Sequence, residues 1–327
     1  MTNSSSDRPS EFELIAKLFA PLSANAPGAY GLMDDAATIR LPPGQELVIT
    51  ADLLSAGIHF REDDPPKLIA QKALRVNLSD LAAKGAVPLG YTLSLALPRD
   101  WTLTWLEAFA AGLRDDQEQF SIALFGGDTT STNGPFTIAV TAFGSVPDGT
   151  MIRRNGAKAG DIVFVSGTIG DAGAGLAMLK SDDQMLASQH RDALVSRYQL
   201  PTPRMTLGAA LRSMATAALD VSDGLIADLG HIAETSGVRI SVDAERVPLS
   251  EALRASGGSV LSAVAAGDDY EIAFTAPSGE REEIFRIAAQ ANTVATEIGR
   301  VEAGSGVALL DSSGREIPLS KTGYRHF

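Results

Sequence analysis

The sequence predicts a mixed α/β protein of two domains. Patterns of period two and period 3.6 alternate along the whole chain, which is typical of strands and helices that follow one another. At 327 residues the chain is longer than most single domains, so we expect two domains, each with its own core and with a site in the cleft between them. Apolar residues make up 45% of the chain and charged residues 20%, a globular composition that argues against disorder or a fibre.

Four strands and a long helix are predicted in the first half of the chain. Glu46–Thr50 reads as a short strand that ends just before Asp52, and Tyr91–Leu97 alternates like a half-buried strand. Lys67–Lys84 is predicted to be a helix with one buried side, and Gly85 ends it. The other predicted strands are Ser121–Phe125 and Phe136–Val146.

A polar, glycine-rich stretch, Pro147–Asp161, separates the two halves, and we place the domain boundary between residues 148 and 149. The second half returns to alternating strands and helices. Its predicted strands are Ile162–Ser166, Val238–Val242, Tyr270–Phe274 and Thr293–Val301, and its predicted helices are Asp171–Lys180, Arg204–Ala215 and Asp223–Ser236.

The composition excludes several classes of function. A formal net charge of -13 makes the surface repel nucleic acid and anionic lipid, so an anionic substrate would need cations between itself and the protein. Without cysteine, the chain has no disulfide, thiolate metal site or cysteine nucleophile. Since Met1–Ser10 is polar and no apolar segment of about 18 residues follows, we expect a cytoplasmic protein with no membrane partner.

Aspartates beside glycine, serine or threonine are the most informative feature of the sequence. Magnesium takes hard oxygen ligands and is shared between one or two carboxylates and substrate phosphates, so converging aspartates would form a polyphosphate site with several metal ions. Taken singly, each aspartate could equally be a helix cap or a turn residue. Asp223, which precedes a predicted helix, could be a cap, and Asp128, beside two glycines, could be a turn residue. The five places are Asp34-Asp35, Asp52, Asp80 in Asn77-Leu78-Ser79-Asp80, Asp128 in Gly126-Gly127-Asp128-Thr129, and Asp220 with Asp223 in Asp220-Val221-Ser222-Asp223-Gly224.

Familiar nucleotide-binding motifs are absent from the sequence. No P-loop occurs, and Gly173-Ala174-Gly175 lacks the third glycine of the dinucleotide fingerprint. Arg153–Lys158 concentrates positive charge that suits a phosphate, although a solvated basic turn explains it equally well. His231 falls within an apolar helix and is expected to be structural.

Three segments, taken together and in order, resemble the thiamine-monophosphate kinase family, whose superfamily includes aminoimidazole ribonucleotide synthetase and selenophosphate synthetase. They are Asn77–Ala86, Gly126–Thr130 and Asp220–Leu225, within a resemblance that runs from Glu11 to Tyr324. The resemblance implies a homodimer of two-domain α/β subunits. Residues 1–148 would bind ATP and metal and pair their sheet with that of the second copy, and residues 149–327 would form an α/β domain that completes the cleft.

The implied reaction is a direct, in-line transfer of a phosphoryl group from ATP to thiamine monophosphate, with several magnesium ions. A phosphate monoester has a second pKa of about 6, so the acceptor needs no general base, and the transfer requires positioning and charge neutralisation instead. The implied metal ligands are Asp35, Thr50, Asp52, Asp80, Asp128, Asp220 and Asp223. The implied ATP contacts are Gly127, Asp128, Arg154 and Ser222, and the implied thiamine phosphate contacts are His59, Asp268 and Tyr324.

Three positions depart from the family pattern. Met33 replaces a glycine, Ala51 replaces a threonine, and Asp268 replaces a glutamate. An aminoimidazole ribonucleotide synthetase-like enzyme stays open as an alternative. A second alternative is a non-catalytic magnesium–nucleotide sensor that has begun to lose metal ligands, and Met33 and Ala51 are the residues that favour it. Selenophosphate synthetase and the hydrogenase-maturation relatives generally rely on a cysteine that this chain lacks.

Overall fold

A computed structural model describes residues 9–181 and 186–324. Residues 1–8 of the polar segment Met1–Ser10 lie outside the described part, as do the outer ends of the two predicted domains. The described residues divide into two compact units: the chain up to Leu78 with Pro88–Ser145, and Ser79–Val87 with Val146 onward. The domain limits at residues 148 and 149 stay a prediction.

The first unit is built on a four-stranded sheet. Its strands are β1 (Gln45–Ser55), β2 (Val87–Pro98), β3 (Ala123–Thr132) and β4 (Thr137–Pro147), in the order β1-β4-β2-β3. Its helices are α1 (Glu11–Leu14), α3 (Leu103–Phe120) and α2 (Pro66–Ala83) up to Leu78, since the end of α2 from Ser79 belongs to the second unit. The short π and 3-10 segments Ile15–Phe19, Ala20–Ser23 and Pro27–Leu32 follow α1.

Helix α2 is buried along most of its length, and Gly85, with a φ of +69°, ends it as predicted. Helix α3 was not among the predicted elements, although its sequence carries the pattern of an amphipathic helix. Thr102 caps it by accepting the Trp105 backbone N–H at 3.2 Å, and Leu106 and Phe109 on its inner side are buried.

The second unit is built on a six-stranded sheet with the order β10-β7-β9-β5-β8-β6. Its strands are β5 (Ile162–Ser166), β6 (Ala217–Asp220), β7 (Arg239–Asp243), β8 (Ile272–Ala276), β9 (Ala295–Glu302) and β10 (Gly306–Leu310). Its helices are α4 (Asp171–Lys180), α5 (Ser188–Gln199), α6 (Met205–Leu211), α7 (Leu225–Ser236), α8 (Glu251–Ala255), α9 (Val260–Ala263) and α10 (Arg281–Gln290), with 3-10 turns at Ala244–Arg246 and Ser278–Glu280.

Most pairings in the six-stranded sheet are antiparallel. Strand β5 lies between β8 and β9 and runs antiparallel to both, while β10 pairs with β7 in parallel. Apolar side chains of β5, β6, α7 and β7 form one core, and Phe164 and Phe274 stack at 5.2 Å in a second core with α6 and α10. In residues 9–181 and 186–324 no helix is both long and apolar enough to cross a membrane.

Two strand predictions were wrong in a way that matters for the site. Strand β1 continues to Ser55, so Asp52 lies inside the strand and not at its end. Strand β3 continues to Thr132, so Asp128 lies inside a strand and is not a turn residue. In both cases pairing with a neighbouring strand outweighs the low strand preference of glycine and aspartate.

Candidate functional site

Two of the predicted acid places border one cavity in the first unit. The cavity has a volume of about 270 Å³, and Asp34, Asp35 and Asp128 all line it. All three aspartates are exposed, and the Asp35 backbone N–H donates to the Asp34 carboxylate at 2.8 Å. A set of several carboxylates at an open cavity matches the hard oxygen ligands that magnesium prefers.

The glycines beside Asp128 have different surroundings. A Cβ at Gly127 would lie 1.8 Å from the Leu93 carbonyl oxygen, so the close approach of β3 to β2 requires a glycine there. A Cβ at Gly126 would meet nothing within 4 Å. Strand packing therefore explains Gly127 by itself, and its contact with ATP stays a prediction.

Strand β1 carries Thr50 and Asp52 on one face, and Ala51 points to the opposite face because side chains alternate along a strand. A hydroxyl at position 51 would therefore not join Thr50 and Asp52 around one ion. Shortly after β1, His59 Nδ1 accepts the Ser55 backbone N–H at 3.0 Å, which fixes the imidazole on its own loop.

Asp52 and Asp128 belong to the two opposite edge strands of the sheet. Three strand spacings separate them, a distance of about 14 Å. Magnesium holds its ligands at about 2.1 Å, so two carboxylates on one ion must approach within about 4 Å of each other. Within a single sheet, the strand order therefore does not by itself bring these two aspartates to the same magnesium ion.

Asp80, Asp220 and Arg154 lie around Lys84 in the second unit. The Lys84 ammonium donates to the Ala218 carbonyl at 2.8 Å. Burial, with a smaller contribution from the Arg154 charge, lowers the pKa of Lys84 to about 8, while Asp220 and Asp80 act in the opposite direction. Sequence reasoning did not identify Lys84, although it lies among three predicted ligand residues.

Backbone hydrogen bonds join four other predicted residues in the second unit. The Asp268 N–H donates to the Ser222 carbonyl and the Tyr324 N–H donates to the Asp223 carbonyl, both at 2.8 Å. Asp223 and Tyr324 also line a cavity of about 640 Å³. Backbone hydrogen bonds thus attach two segments with predicted acceptor contacts, at Asp268 and Tyr324, to the short loop of Ser222 and Asp223.

The cap interpretation of Asp223 is wrong, and burial does not support the structural role expected of His231. Asp223 does not cap helix α7, because Gly224 occupies the N-cap position and the helix begins at Leu225. His231 is exposed on α7 and is not a core residue. One ligand atom each of Asp223, Asp228 and His231 lies within 4.8 Å of the others, a spacing that could hold a metal ion.

Asp228 is a residue that sequence reasoning missed. Burial raises the pKa of its carboxyl to about 7, with a further contribution from Asp223, while three backbone N–H groups oppose the rise. An acid in the first turn of a helix is common and gave no specific indication in the sequence.

Asp269 and Glu271, on either side of Tyr270, were also missed. The Asp269 carboxylate accepts the Gly170 N–H at 2.7 Å, and burial raises its pKa well above the ordinary value. Glu271 is fully buried and bonded to Arg197 and Arg204. These contacts fix a segment in which Asp268 and Tyr270 have φ angles of 70° and 51°, a conformation that is costly for side-chain-bearing residues.

Comparison with known proteins first defines the class. The family "AIR synthase related protein" matches the chain twice, with its N-terminal domain over residues 33–146 and its C-terminal domain over residues 158–312. The chain therefore has the two-domain α/β architecture of that superfamily, as predicted.

Closer relatives then define the family. The chain is 43% identical to the thiamine-monophosphate kinase of Caulobacter vibrioides, over 97% of this chain and 91% of the relative, and 40% identical to that of Escherichia coli K12, over 97% and 98%. The crystal structure of the thiamine-monophosphate kinase from Stenotrophomonas maltophilia K279a has a TM-score of 0.79 at 42% identity, covering 88% of this chain and 91% of the other. AaThiL complexed with AMPPCP and TMP has a TM-score of 0.78 at 32% identity, covering 99% and 100%. The chain belongs to the thiamine-monophosphate kinase family.

Proposed function

We propose that this chain phosphorylates thiamine monophosphate to thiamine diphosphate by direct in-line transfer from ATP, with several magnesium ions bound. The observation that carries the proposal is the loop that joins Ser222 and Asp223 to Asp268 and Tyr324 by backbone hydrogen bonds. Its backbone hydrogen bonds link segments whose residues are predicted to meet ATP, metal and acceptor, and this linkage supports the proposal. The near full-length similarity to AaThiL, which was solved with AMPPCP and TMP, supports the same ligands here.

The residues would act by binding and by balancing charge. Bound magnesium would neutralise the phosphates, and the predicted metal ligands supply the oxygen donors that this ion requires. Lys84 adds a cation that the Ala218 carbonyl holds in place. The acceptor phosphate is already anionic at neutral pH, so no side chain has to remove a proton from it.

The test is incubation with ATP, magnesium and thiamine monophosphate, followed by an assay for thiamine diphosphate. Free thiamine is the matched acceptor, and we expect little turnover of it because an alcohol would need a base that the proposed site does not provide. Equal turnover of the two acceptors would contradict the proposed mechanism. Nucleotide binding without any turnover would point to the sensor alternative.

We also propose that the chain works as a homodimer that meets through β1. Leu47, Ile49 and Leu53 alternate along this edge strand and are 41%, 59% and 62% exposed. An exposed apolar row on an edge strand is a surface that another copy can cover. Ile49→Lys should convert a dimer to a monomer in sedimentation equilibrium, and a wild-type monomer would refute the proposal.

A second copy could also supply metal ligands that one sheet does not bring together. Asp52 and Asp128 lie on opposite edge strands of one sheet, and in our proposal they serve different ions or meet across two copies. Since ATP is supplied in the cytoplasm, we place the reaction there.

A further inference from the structure

Three consecutive backbone N–H groups converge on a single oxygen of Asp228. The amides of Ser222, Asp223 and Gly224 each donate to Asp228 Oδ2 at 3.0 Å. The acceptor is a residue of the first turn of α7, and only 4% of its surface is exposed. The carboxylate thus holds the whole loop that precedes the helix.

Successive amides in front of a helix ordinarily form a binding site for a free anion such as a phosphate. In this chain the protein's own carboxylate fills that position. A nucleotide phosphate therefore cannot use the amides of residues 222–224. What the loop can offer to a magnesium-bound nucleotide is the hydroxyl of Ser222 and the carboxylate of Asp223.

The carbonyl groups of the same loop point to a second set of partners. Val221, Ser222 and Asp223 accept the backbone N–H groups of Tyr270, Asp268 and Tyr324, respectively, each at 2.8 Å. The amides of the loop are held by Asp228, and its carbonyls hold the segments that carry the predicted acceptor contacts. A shift of the loop would move both sets of contacts together.

We propose that Asp228 is a positioning residue for phosphoryl transfer. It fixes loop 221–224 and thereby positions both the residues predicted to contact the nucleotide and the residues predicted to contact the acceptor. It need not touch either substrate. The proposal rests on the proposed function, since the ligand roles of these residues come from it.

The test compares Asp228→Asn and Asp228→Ala with a control, Asp161→Asn. Asp161 is 5% exposed in the same unit and accepts the Lys158 N–H at 2.9 Å and the Thr216 hydroxyl at 2.7 Å, but binds no predicted site residue. Three readouts are taken from each full-length protein. They are hydrogen exchange of the peptide spanning residues 221–225, the Kd of a non-hydrolysable ATP analogue with magnesium, and the KM for thiamine monophosphate.

We expect Asp228→Ala to expose the loop amides to exchange and to lower kcat/KM on the order of 100-fold, the loss that a displaced ligand causes. Asp228→Asn keeps a neutral acceptor of the same size and should lose about tenfold, with both the nucleotide Kd and the acceptor KM raised. Asp161→Asn should lower the melting temperature and leave both affinities unchanged.

Three results would overturn the proposal: unchanged loop exchange in Asp228→Ala, a folded Asp228→Asn with wild-type affinities, or an equal loss of affinity in Asp161→Asn. The failure of the proposed function is distinguishable from these. In that case the wild-type protein would not turn over thiamine monophosphate, while the exchange experiment would still report whether Asp228 holds the loop.

Discussion

Replacing Lys84 by methionine should change how the stability of the protein depends on pH. The Lys84 ammonium is mostly buried, bonds to the Ala218 carbonyl, and has a pKa of about 8 in the folded protein against 10.5 for a free lysine. Between these two pH values the unfolded chain holds a proton that the folded protein has released. The free energy of unfolding should therefore rise with pH across this window.

The pKa difference fixes the size of the effect. One pKa unit corresponds to about 1.4 kcal/mol, so lowering the pKa of Lys84 from 10.5 to about 8 amounts to about 3 kcal/mol. This is the increase expected in the wild-type protein between pH 8 and pH 10.5. Below pH 8 the lysine is charged in both states and contributes no slope. Lys84→Met removes the titrating group, so the increase should be missing in the variant.

The measurement is urea unfolding of both proteins at several pH values from 7 to 10.5, in the presence of a chelator. Other groups titrate in both proteins, and their contributions cancel in the difference. Lys17→Met is the matched control, because the Lys17 side chain is 55% exposed and its ammonium pairs with Glu107 at the surface. A constant difference between wild type and Lys84→Met over this pH range would refute the reasoning.

Asp128→Asn should lower kcat on the order of 100-fold, because an amide is a poor magnesium ligand. The free energy of unfolding should stay within about 0.5 kcal/mol of the wild-type value. Steady-state rates measure the first effect, and denaturant unfolding measures the second. Asp80→Asn should lower kcat and raise the magnesium requirement, whereas Asp268→Asn should mainly raise the KM for thiamine monophosphate, as initial-rate titrations would show. Asp116→Ala should cost about 3–5 kcal/mol in urea unfolding, because it leaves the buried Arg75, now bonded at 2.8 Å, without its carboxylate.

Each of these predictions has its own contrary outcome. A near-normal kcat in Asp128→Asn would show that this aspartate is not a metal ligand. If the magnesium defect followed Asp268→Asn and the acceptor defect followed Asp80→Asn, the assigned roles would be wrong. Glu107→Ala is the control for Asp116→Ala: it breaks a surface ion pair and should lower the free energy of unfolding by no more than about 1 kcal/mol. If Asp116→Ala lowered the free energy of unfolding by no more than this control, the argument from burial would be contradicted.

Local sequence patterns sufficed for elements whose own side chains decide their structure. Strand β5 and helix α4 match their predicted limits, and α2 differs from its prediction by one residue at each end. Helix α3 was not predicted, although its cap and its apolar spacing are both in the sequence. Strands β6 and β10 were also missed.

Strand β3 shows where local preference fails. Glycine and aspartate are poor strand formers, so Gly126-Gly127-Asp128 predicted a corner. In the structure, β3 lies so close to β2 that only a glycine fits against the Leu93 carbonyl, and residues up to Thr132 pair in register. That pairing depends on β2, a strand that lies far from β3 in the sequence, so no local sequence pattern can reveal it.

The sequence by itself determined the two-domain α/β class, the family, and the aspartates that are candidates for metal and phosphate binding. It could not determine which of them lie together, because strand order and loop contacts arise between residues far apart in the chain. Tertiary structure alone separated Asp52 from Asp128 on opposite edges of a sheet and bonded the segments of Asp268 and Tyr324 to the loop of Ser222 and Asp223. It also gave Asp228 its role, since a carboxylate in a helix becomes the acceptor of three amides only when the preceding loop folds back over it.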